Sequence, residues 1–319
     1  MKQWAKKYKD NFMESYKLKR GMKDPLYGVN FLLKRFSRFI PNDKVYLSLR
    51  WFTVTHRFIN WRNPSRFTEK LQWLKVYYHR PELTTMVDKI EAKKYVAGII
   101  GEQFIIPTIA VWDSADDIDF DKLPDKFVLK CNHDSGTGMC ICTDKSKLDC
   151  SSVRKGLNEG LKSDYYPISR EWPYKNVKRK VFAEQYMKQE DSSDLTDYKW
   201  FCFNGKPLYC QVIRNRSSKE TIDFFDTEWN HQSFIGFNPR AVHAENCPSC
   251  PKNLSLMIEL ATSLSRDLPF SRVDLYEING NVYFGEITFF PAGGFGAFRP
   301  KKMDRVFGQY LVLPKLKDC

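Results

Sequence analysis

The chain has 319 residues, of which 42% are hydrophobic, 15% aromatic and 28% charged, and it carries a formal charge of +13. That apolar and aromatic content excludes a disordered or low-complexity chain, and the length allows one composite unit or two to three subdomains. No run approaches the ~18 uninterrupted apolar residues of a spanning helix. The opening MKQWAKKYKDNF lacks the apolar core and cleavage site of a secretory leader, so a cytoplasmic location is expected.

The charge is uneven: residues 1–60 hold fourteen Lys or Arg against four Asp or Glu. Trp4, Tyr8, Phe12 and Tyr16 recur every four residues among lysines, the pattern of an amphipathic helix. Phe31 to Ile40 mixes apolar and basic residues before Pro41. Such a segment can lie on an anionic membrane surface, where each basic residue is worth ~1 kcal/mol, although aromatics at helical spacing more often face a core. Residues 1–60 therefore read as a basic, largely helical region. Nucleic acid is not expected as a partner, because the charge is confined to one end and no recognisable nucleic-acid module accompanies it.

Asn63-Pro64 marks a turn before a helix with Phe67, Leu71 and Leu74 on one face. A second helix is expected over Asp88 to Val96, closing near Gly98 and Gly101. From Ile105 the period shifts toward strands: Ile105-Ile106-Pro107, Phe127 to Lys130, Met139 to Cys142, Val181 to Glu184, Tyr198 to Phe203 and Leu208 to Ile213. A helix over Leu254 to Leu264 leads to strands Arg272 to Ile278 and Val282 to Ile287. Asn204-Gly205 and Asn279-Gly280 are hairpin signals. The mixture implies an α/β or α+β body.

Nine cysteines, an odd number spread along strands and loops, read as reduced thiols. Cys247-Pro-Ser-Cys250 offers half of a zinc site, but no second pair lies nearby in sequence, and two loop thiols are the plainer reading.

Lys130 ends an apolar strand and is followed by CNHDSGTGMCI, which offers an ammonium and exposed backbone N–H groups to an anion. Taken alone, a Gly-Thr-Gly turn equally suits a tight hairpin. Asp274 and Glu286 flank the Asn279-Gly280 turn at spacings that let their carboxylates lie almost opposite each other, with Arg272, Tyr276 and Thr288 able to share their face. Facing carboxylates repel without a cation between them, and Mg²⁺ suits such oxygen ligands. The strand exit Glu184-Gln185-Tyr186-Met187 can offer backbone groups to an adenine edge, and Asp197 can accept from ribose hydroxyls.

In the order Lys89, Lys130, Glu184, Asp197, Lys199, Asp274, Glu286 the chain resembles the ATP-grasp superfamily. The segments NPSRFTEKLQWLK, VDK, FVLKCNHDSGTG, REWPYKN, DYKWFCFNGKP and RVDLYEINGNVYFGEITFFPAGGF resemble its TupA-like branch, found with bacterial cell-surface polysaccharide synthesis. The resemblance implies an ATP-grasp domain over 61–312, two α+β subdomains clasping ATP, with 313–319 as a tail. It implies that Lys89 and Lys130 contact phosphates, that Ser135, Gly136, Thr137 and Gly138 close over them, and that Glu184, Gln185, Tyr186 and Met187 form the adenine hinge. Asp197 would hold the ribose, Lys199 would reach phosphate or substrate, and Arg272 would steady the reacting oxyanion. Asp274 and Glu286 would hold Mg²⁺, with Thr288 where many relatives carry Asn, which puts a second metal ion in doubt.

The implied reaction activates a carboxylate as an acylphosphate for attack by an amine, and no Ser-His-Asp or Cys-His constellation competes with it. An anionic sugar or glycan, carried on a lipid at the inner membrane face, is the expected acceptor. An ATP-grasp kinase acting on a sugar hydroxyl and a glycosyltransferase of a polysaccharide locus are the alternatives. His133 beside the glycine loop can assist proton transfer, though a backbone hydrogen bond is the plainer role. Trp172 and Tyr174 of REWPYKN can line an acceptor groove or pack as a structural loop.

Overall fold

The structure, a computed structural model, describes residues 24–133, 138–190, 194–216, 218–238 and 241–316. The aromatic repeat Trp4 to Tyr16 lies outside the described residues. The chain divides into two units, one of residues up to 64 with 167–170, the other of 65–166 with 171 onward.

In the first unit, α1 (Pro25–Arg35) starts with proline at its first turn and is capped by Asp24, whose carboxylate accepts from the Leu26 N–H at 3.0 Å. Helix α2 (Asp43–Thr55) is capped by Asn42 and stops at His56, which takes left-handed dihedrals (φ 58°). The expected segment from Phe31 to Ile40 is therefore two pieces, the end of α1 and a 3₁₀ turn at Ser37–Phe39. Buried Arg170 pins the unit. It donates to Asp43 Oδ1 and to the carbonyls of Ser37 and Ile40, each at 2.7 Å, and its guanidinium lies 4.5 Å from the Tyr46 ring centroid.

The second unit opens with α3 (Phe67–Tyr77), α4 (Glu82–Val87) and α5 (Glu91–Ile100). Helix α5 runs through Gly98 and stops at Gly101, whose φ of 105° favours glycine. A four-stranded antiparallel sheet follows, made of β1 (Thr108–Trp112), β2 (Phe127–Cys131), β3 (Met139–Cys142) and, after α6 (Cys150–Lys162), β4 (Val181–Gln185), in the order β1-β4-β2-β3. The strand expected at Ile105–Pro107 begins later, at Thr108. Pro107 has no N–H to give a ladder, and Ile105 makes only an isolated bridge to Phe284.

Period-two alternation divides this sheet. Phe127, Leu129, Cys131, Val181 and Ala183 turn to one side and pack with Leu157 of α6. Lys130, Phe182, Met139 and Glu184 occupy the other, where the strand register sets Lys130 beside both Phe182 and Met139.

The larger sheet holds β5 (Asp197–Phe203), β6 (Lys206–Arg214), β7 (Thr221–Phe225) and β8 (His231–Gln232), with β10 (Phe270–Ile278) and β11 (Asn281–Thr288) at its other edge. Its order is β11-β10-β5-β6-β7-β8, and β9 (Ile235–Gly236) pairs separately with β12 (Phe298–Arg299). Both Asn-Gly turns put asparagine and glycine at positive φ, the conformation two-residue hairpins need. The rear face, with Trp200, Cys202, Val273 and Leu275, is covered by α7 (Leu254–Ser265) through Met257, Leu260 and Ala261. The front face is shared. One end is closed by aromatic packing of Phe67 on α3 and Phe307 on α8 (Met303–Tyr310) with Phe201, Phe203 and Phe270, the Phe67 and Phe270 rings meeting edge-on at 4.9 Å. The other end stays open and carries the charges.

Helix α8 reaches this position because Gly308 lies directly on the backbone before α3. A Cβ there would collide with the Ser65 carbonyl and stand 2.8 Å from the Phe67 nitrogen. Gly308→Ala is expected to lower stability by about 2 kcal/mol, read as the shift of a urea unfolding midpoint.

Candidate active site

The charged end of the larger sheet meets the polar face of the smaller one across a cleft of ≈ 430 Å³. Lys89, Lys93, Lys130 and Glu184 line it on one side, Asp197, Lys199, Arg216, Arg272, Asp274 and Glu286 on the other.

Strand register builds the second wall. Asp274 pairs with Glu286 on one flank and Lys199 on the other, and Lys199 pairs in turn with Gln211. Tyr276 pairs with Asp197 and Asp197 with Ile213, so a second row lies beside the first. The hairpin counts differently from a plain two-strand count. Ile278 pairs with Asn281, and a bulge between Leu275 and Asp274 leaves Gly285 as the extra residue that restores Glu286 to its place. Glycine fits that position closely, because a Cβ would press on the Tyr276 ring at 3.0 Å and the Asp274 carbonyl at 3.1 Å.

Asp274 is 2% exposed and held by two cations. Arg272 donates from Nε to Oδ1 at 2.6 Å and from Nη2 to Oδ2 at 2.7 Å, and Lys199 ion-pairs with Oδ2. Arg272 Nη2 also donates to Glu286 Oε1 at 2.9 Å and Thr288 Oγ1 at 3.0 Å, while Thr288 donates to Glu286 at 3.2 Å. Lys199 lies 3.3 Å from Asp197, which is met from outside by Arg216 at 2.9 Å. Burial pushes the Asp274 carboxyl up despite both cations. Burial acts the same way on Glu286, but Lys199, Lys89 and Arg272 outweigh it and hold that carboxyl at about 2. Glu286 therefore stands ionised, with 40% of its side chain open to the cleft.

The first wall is positioned by Asp88 and Asn132. Asp88 Oδ1 accepts from the Ile90 N–H at 2.9 Å at the start of α5, and its Oδ2 accepts from Asn132 Nδ2 at 2.9 Å. The Asn132 carbonyl accepts from the Lys89 N–H at 3.0 Å, so the residue two after Lys130 fixes the backbone of Lys89. Glu184, nearly buried, takes Lys93 at 2.9 Å on one oxygen and Lys130 on the other. Burial would raise its carboxyl, but the two lysines reverse that and hold it below the ordinary value. Burial lowers Lys93.

The cleft gathers Lys89, Lys130, Gly138, Glu184, Asp197, Lys199, Arg272, Asp274 and Glu286, and Thr288 joins through Arg272. Ser135, Gly136 and Thr137 lie outside the described residues. Gln185, Tyr186 and Met187 are not among the lining residues, and the Gln185 N–H is already given to the Pro107 carbonyl at 3.0 Å. Glu184 spends its side chain on lysines. His133 bonds the Ser163 carbonyl at 3.1 Å, the plainer of its two roles. Trp172 donates to the Tyr78 carbonyl at 2.9 Å and packs on His79, whereas burial, then Glu171 and Glu286, push the Tyr174 hydroxyl well up. Lys93 and Arg216 escape the sequence reading. Lys93 had a signal, since it follows Lys89 by four residues within the helix expected over Asp88 to Val96, although α5 itself begins at Glu91 and leaves Lys89 on the turn before it; Arg216 had none.

Two antiparallel sheets with helices packed on them make the mixed helix and sheet body that the resemblance implied. The chain belongs to the TupA-like ATP-grasp family, whose model matches residues 69–312. Among solved structures it is similar to a D-alanine–D-alanine ligase from Bacillus anthracis at 22% identity and TM-score 0.40, covering 65% of this chain and 58% of that one. The ATP complex of that enzyme gives 19% and 0.41, covering 66% and 57%. D-alanyl-alanine synthetase A from Vibrio cholerae gives 12% and 0.38, covering 80% and 65%. The chain thus spans less than two thirds of the length of each. No curated protein matches it.

Because the Glu184 carboxyl titrates below its ordinary 4.5, its stabilisation is present above that pH and is lost as pH falls through the depressed value. Glu184→Gln is expected to cost about 2–3 kcal/mol near neutral pH, by leaving two lysines without their carboxylate. Urea titrations at a series of pH values should show a shallower acid-side loss in the variant than in the parent.

Proposed function

We propose that the protein is a Mg-ATP-dependent carboxylate–amine ligase that joins an amine to an anionic sugar or glycan during cell-surface polysaccharide synthesis. One observation carries the reading: Lys89, Lys93 and Lys130 face the Asp274–Glu286 pair across a single cleft. The lysines suit the phosphates of a nucleotide and the carboxylates suit a hard cation. The smaller sheet supports a nucleobase, since Met139 is half exposed on its cleft face, with buried Phe182 on the far side of Lys130. Asp197 takes the ribose hydroxyls, and the backbone of Tyr186 and Met187, on the strand exit just beyond the cleft lining at Glu184, supplies the adenine edge.

The residues fit magnesium. Their donors are all oxygen, Glu286 is ionised and open to the cleft, and Asp274 keeps a lone pair beyond its bonds to Arg272 and Lys199. When bound, the ion neutralises phosphate charge. Thr288, already bonded to Glu286, sits where an amide would complete a second metal shell, and one ion is the better match.

A substrate carboxylate oxygen attacks the γ-phosphorus, the bond to ADP breaks, and an acylphosphate forms. Lys89 and Lys130 hold the departing charge, and Arg272, whose fork is fixed by Asp274, turns its remaining Nη1 toward the reacting oxygen. Lys199 holds phosphate or substrate beside it. The amine then displaces phosphate and gives its proton to solvent, leaving an amide.

The products decide. With a hexuronic acid and a panel of amines, ADP and free phosphate should appear in equal amounts and only when both substrates are present. Phosphate retained on the sugar would make the enzyme a kinase, and indifference to ATP with use of a sugar nucleotide would make it a glycosyltransferase. Lys130→Ala and Asp274→Asn should each lower kcat/KM by about 10²–10³-fold. Full activity in both would refute the site.

We further place the enzyme in the cytoplasm, at the inner membrane face. Among the described residues no helix is long and apolar enough to cross a membrane. In the first unit, α1 buries no residue, and Phe31 (63% exposed), Leu32, Phe36 and Phe39 (81% exposed) stand among Lys34, Arg35 and Arg38. Apolar rings between basic side chains match an anionic lipid surface. Cosedimentation with phosphatidylglycerol vesicles should fall at least about tenfold in Phe36→Ser/Phe39→Ser, since each ring removes an apolar anchor. Equal binding of parent and variant would exclude this face.

A further inference from the structure

Away from the cleft, three side chains converge on the other face of the larger sheet. Strand β7 reads Thr-Ile-Asp-Phe-Phe, and alternation sends Ile222 into the cleft and Asp223 away from it. Asp223 pairs with Val212, whose neighbours Gln211 and Ile213 both line the cleft, so the register of β6 gives the same facing. Asp223 is 1% exposed, yet its partners come from two further segments. His231 on β8 donates from Nε2 to Oδ1 at 2.9 Å, and His243 donates from Nδ1 to the same oxygen at 3.0 Å.

We propose that Asp223, His231 and His243 form a site for a zinc-type divalent ion. The three ligand atoms lie within 4.8 Å of one another. Tetrahedral zinc with bonds of about 2.0–2.1 Å keeps its ligands about 3.3 Å apart, a few tenths of an ångström beyond the spacing of the two hydrogen bonds. Two imidazoles with one carboxylate favour zinc or iron over magnesium or calcium, which take oxygen. The ion takes the lone pair of the nitrogen that each ring now gives to Asp223, and the hydrogen there moves by way of solvent to the other nitrogen of the same ring, so each neutral imidazole binds without net loss of a proton.

The surroundings are built for a ligand set. The Ala244 N–H donates to Asp223 Oδ2 at 3.2 Å, which turns Oδ1 toward both rings. The His231 ring packs on Phe225 at 5.2 Å and edge-on against His243 at 4.9 Å, so both rings are held while about a third of each side chain stays open to solvent. That opening admits an ion and leaves its fourth position to water. Between His231 and His243 the chain passes through Phe237 and Asn238, which line the cleft, and Asn238 donates to Glu220 at 2.9 Å just before β7. A bound ion ties both ends of this stretch to β7 and so braces one cleft wall from behind. The site stands independently of the ligase reading.

The test titrates cobalt, then zinc, into the chelator-treated full chain in excess Mg²⁺, which keeps the oxygen site from competing. One cobalt per chain with visible d–d bands, displaced by zinc, and a zinc-dependent rise in Tm are expected. His231→Ala and His243→Gln should each weaken binding at least about tenfold, the loss that follows even when only a supporting residue is changed. Cys247→Ser/Cys250→Ser should bind like the parent, because those thiols lie outside the cluster. Absence of binding at micromolar metal, binding that survives both histidine variants, or binding lost with the cysteines would each overturn the proposal. Circular dichroism separates lost binding from lost folding, and His243, on the loop, is the substitution that spares the sheet.

Discussion

A carboxylate buried as deeply as Asp274 must either lose its charge or be met by cations held in place, and the cleft is arranged around the second solution. Arg272 comes from the same strand two residues earlier, so the pleat alone sets it beside Asp274. Lys199 comes from the neighbouring strand directly opposite. The ion network therefore exists only if β5, β10 and β11 pair in one register. A one-residue slip would send Lys199 or Glu286 to the rear face, against α7, and leave Asp274 with a desolvated charge. Register and electrostatics enforce each other here.

Glu184 plays the corresponding part on the smaller sheet with the signs exchanged, one carboxylate gathering two ammonium groups. Each wall thus carries its own partial neutralisation, and among the described residues six basic side chains face five carboxylates in the cleft. Groups that must exchange partners when a polyanion and a cation enter are already desolvated and oriented, which reduces the reorganisation needed at the moment of reaction.

Much of this was legible from residues alone, for reasons that can be named. Strand alternation and the Asn279-Gly280 turn placed Arg272, Asp274, Glu286 and Thr288 on one face, because period and turn type are local properties. The bulge at Gly285 was not legible. A plain count brings the carboxylates together with a longer turn, and the extra residue compensates for a shorter one. The double engagement of Glu184 was hidden as well, since it depends on how α5, which carries Lys93, docks against the sheet that carries Lys130. Pro107 delayed β1 by the simple loss of a donor. The triad of Asp223, His231 and His243 was missed because its members are spread over some twenty residues with no spacing rule, whereas Cys247-Pro-Ser-Cys250 drew attention by its motif, yet among the described residues its thiols reach the neighbouring proline carbonyls.

The hairpin tips add a practical corollary. Surface turns are ordinarily the places where a chain accepts an inserted tag or a new pair of termini. Here Asn279 exchanges hydrogen bonds with Gln189 and Glu190, and also donates to the Lys188 carbonyl, stitching the crossover between the sheets to the end of β10. Asn204 does the same for the C-terminal region by donating to the Tyr310 carbonyl. Neither turn is spare, and an engineer wishing to splice into this protein should leave both asparagines alone.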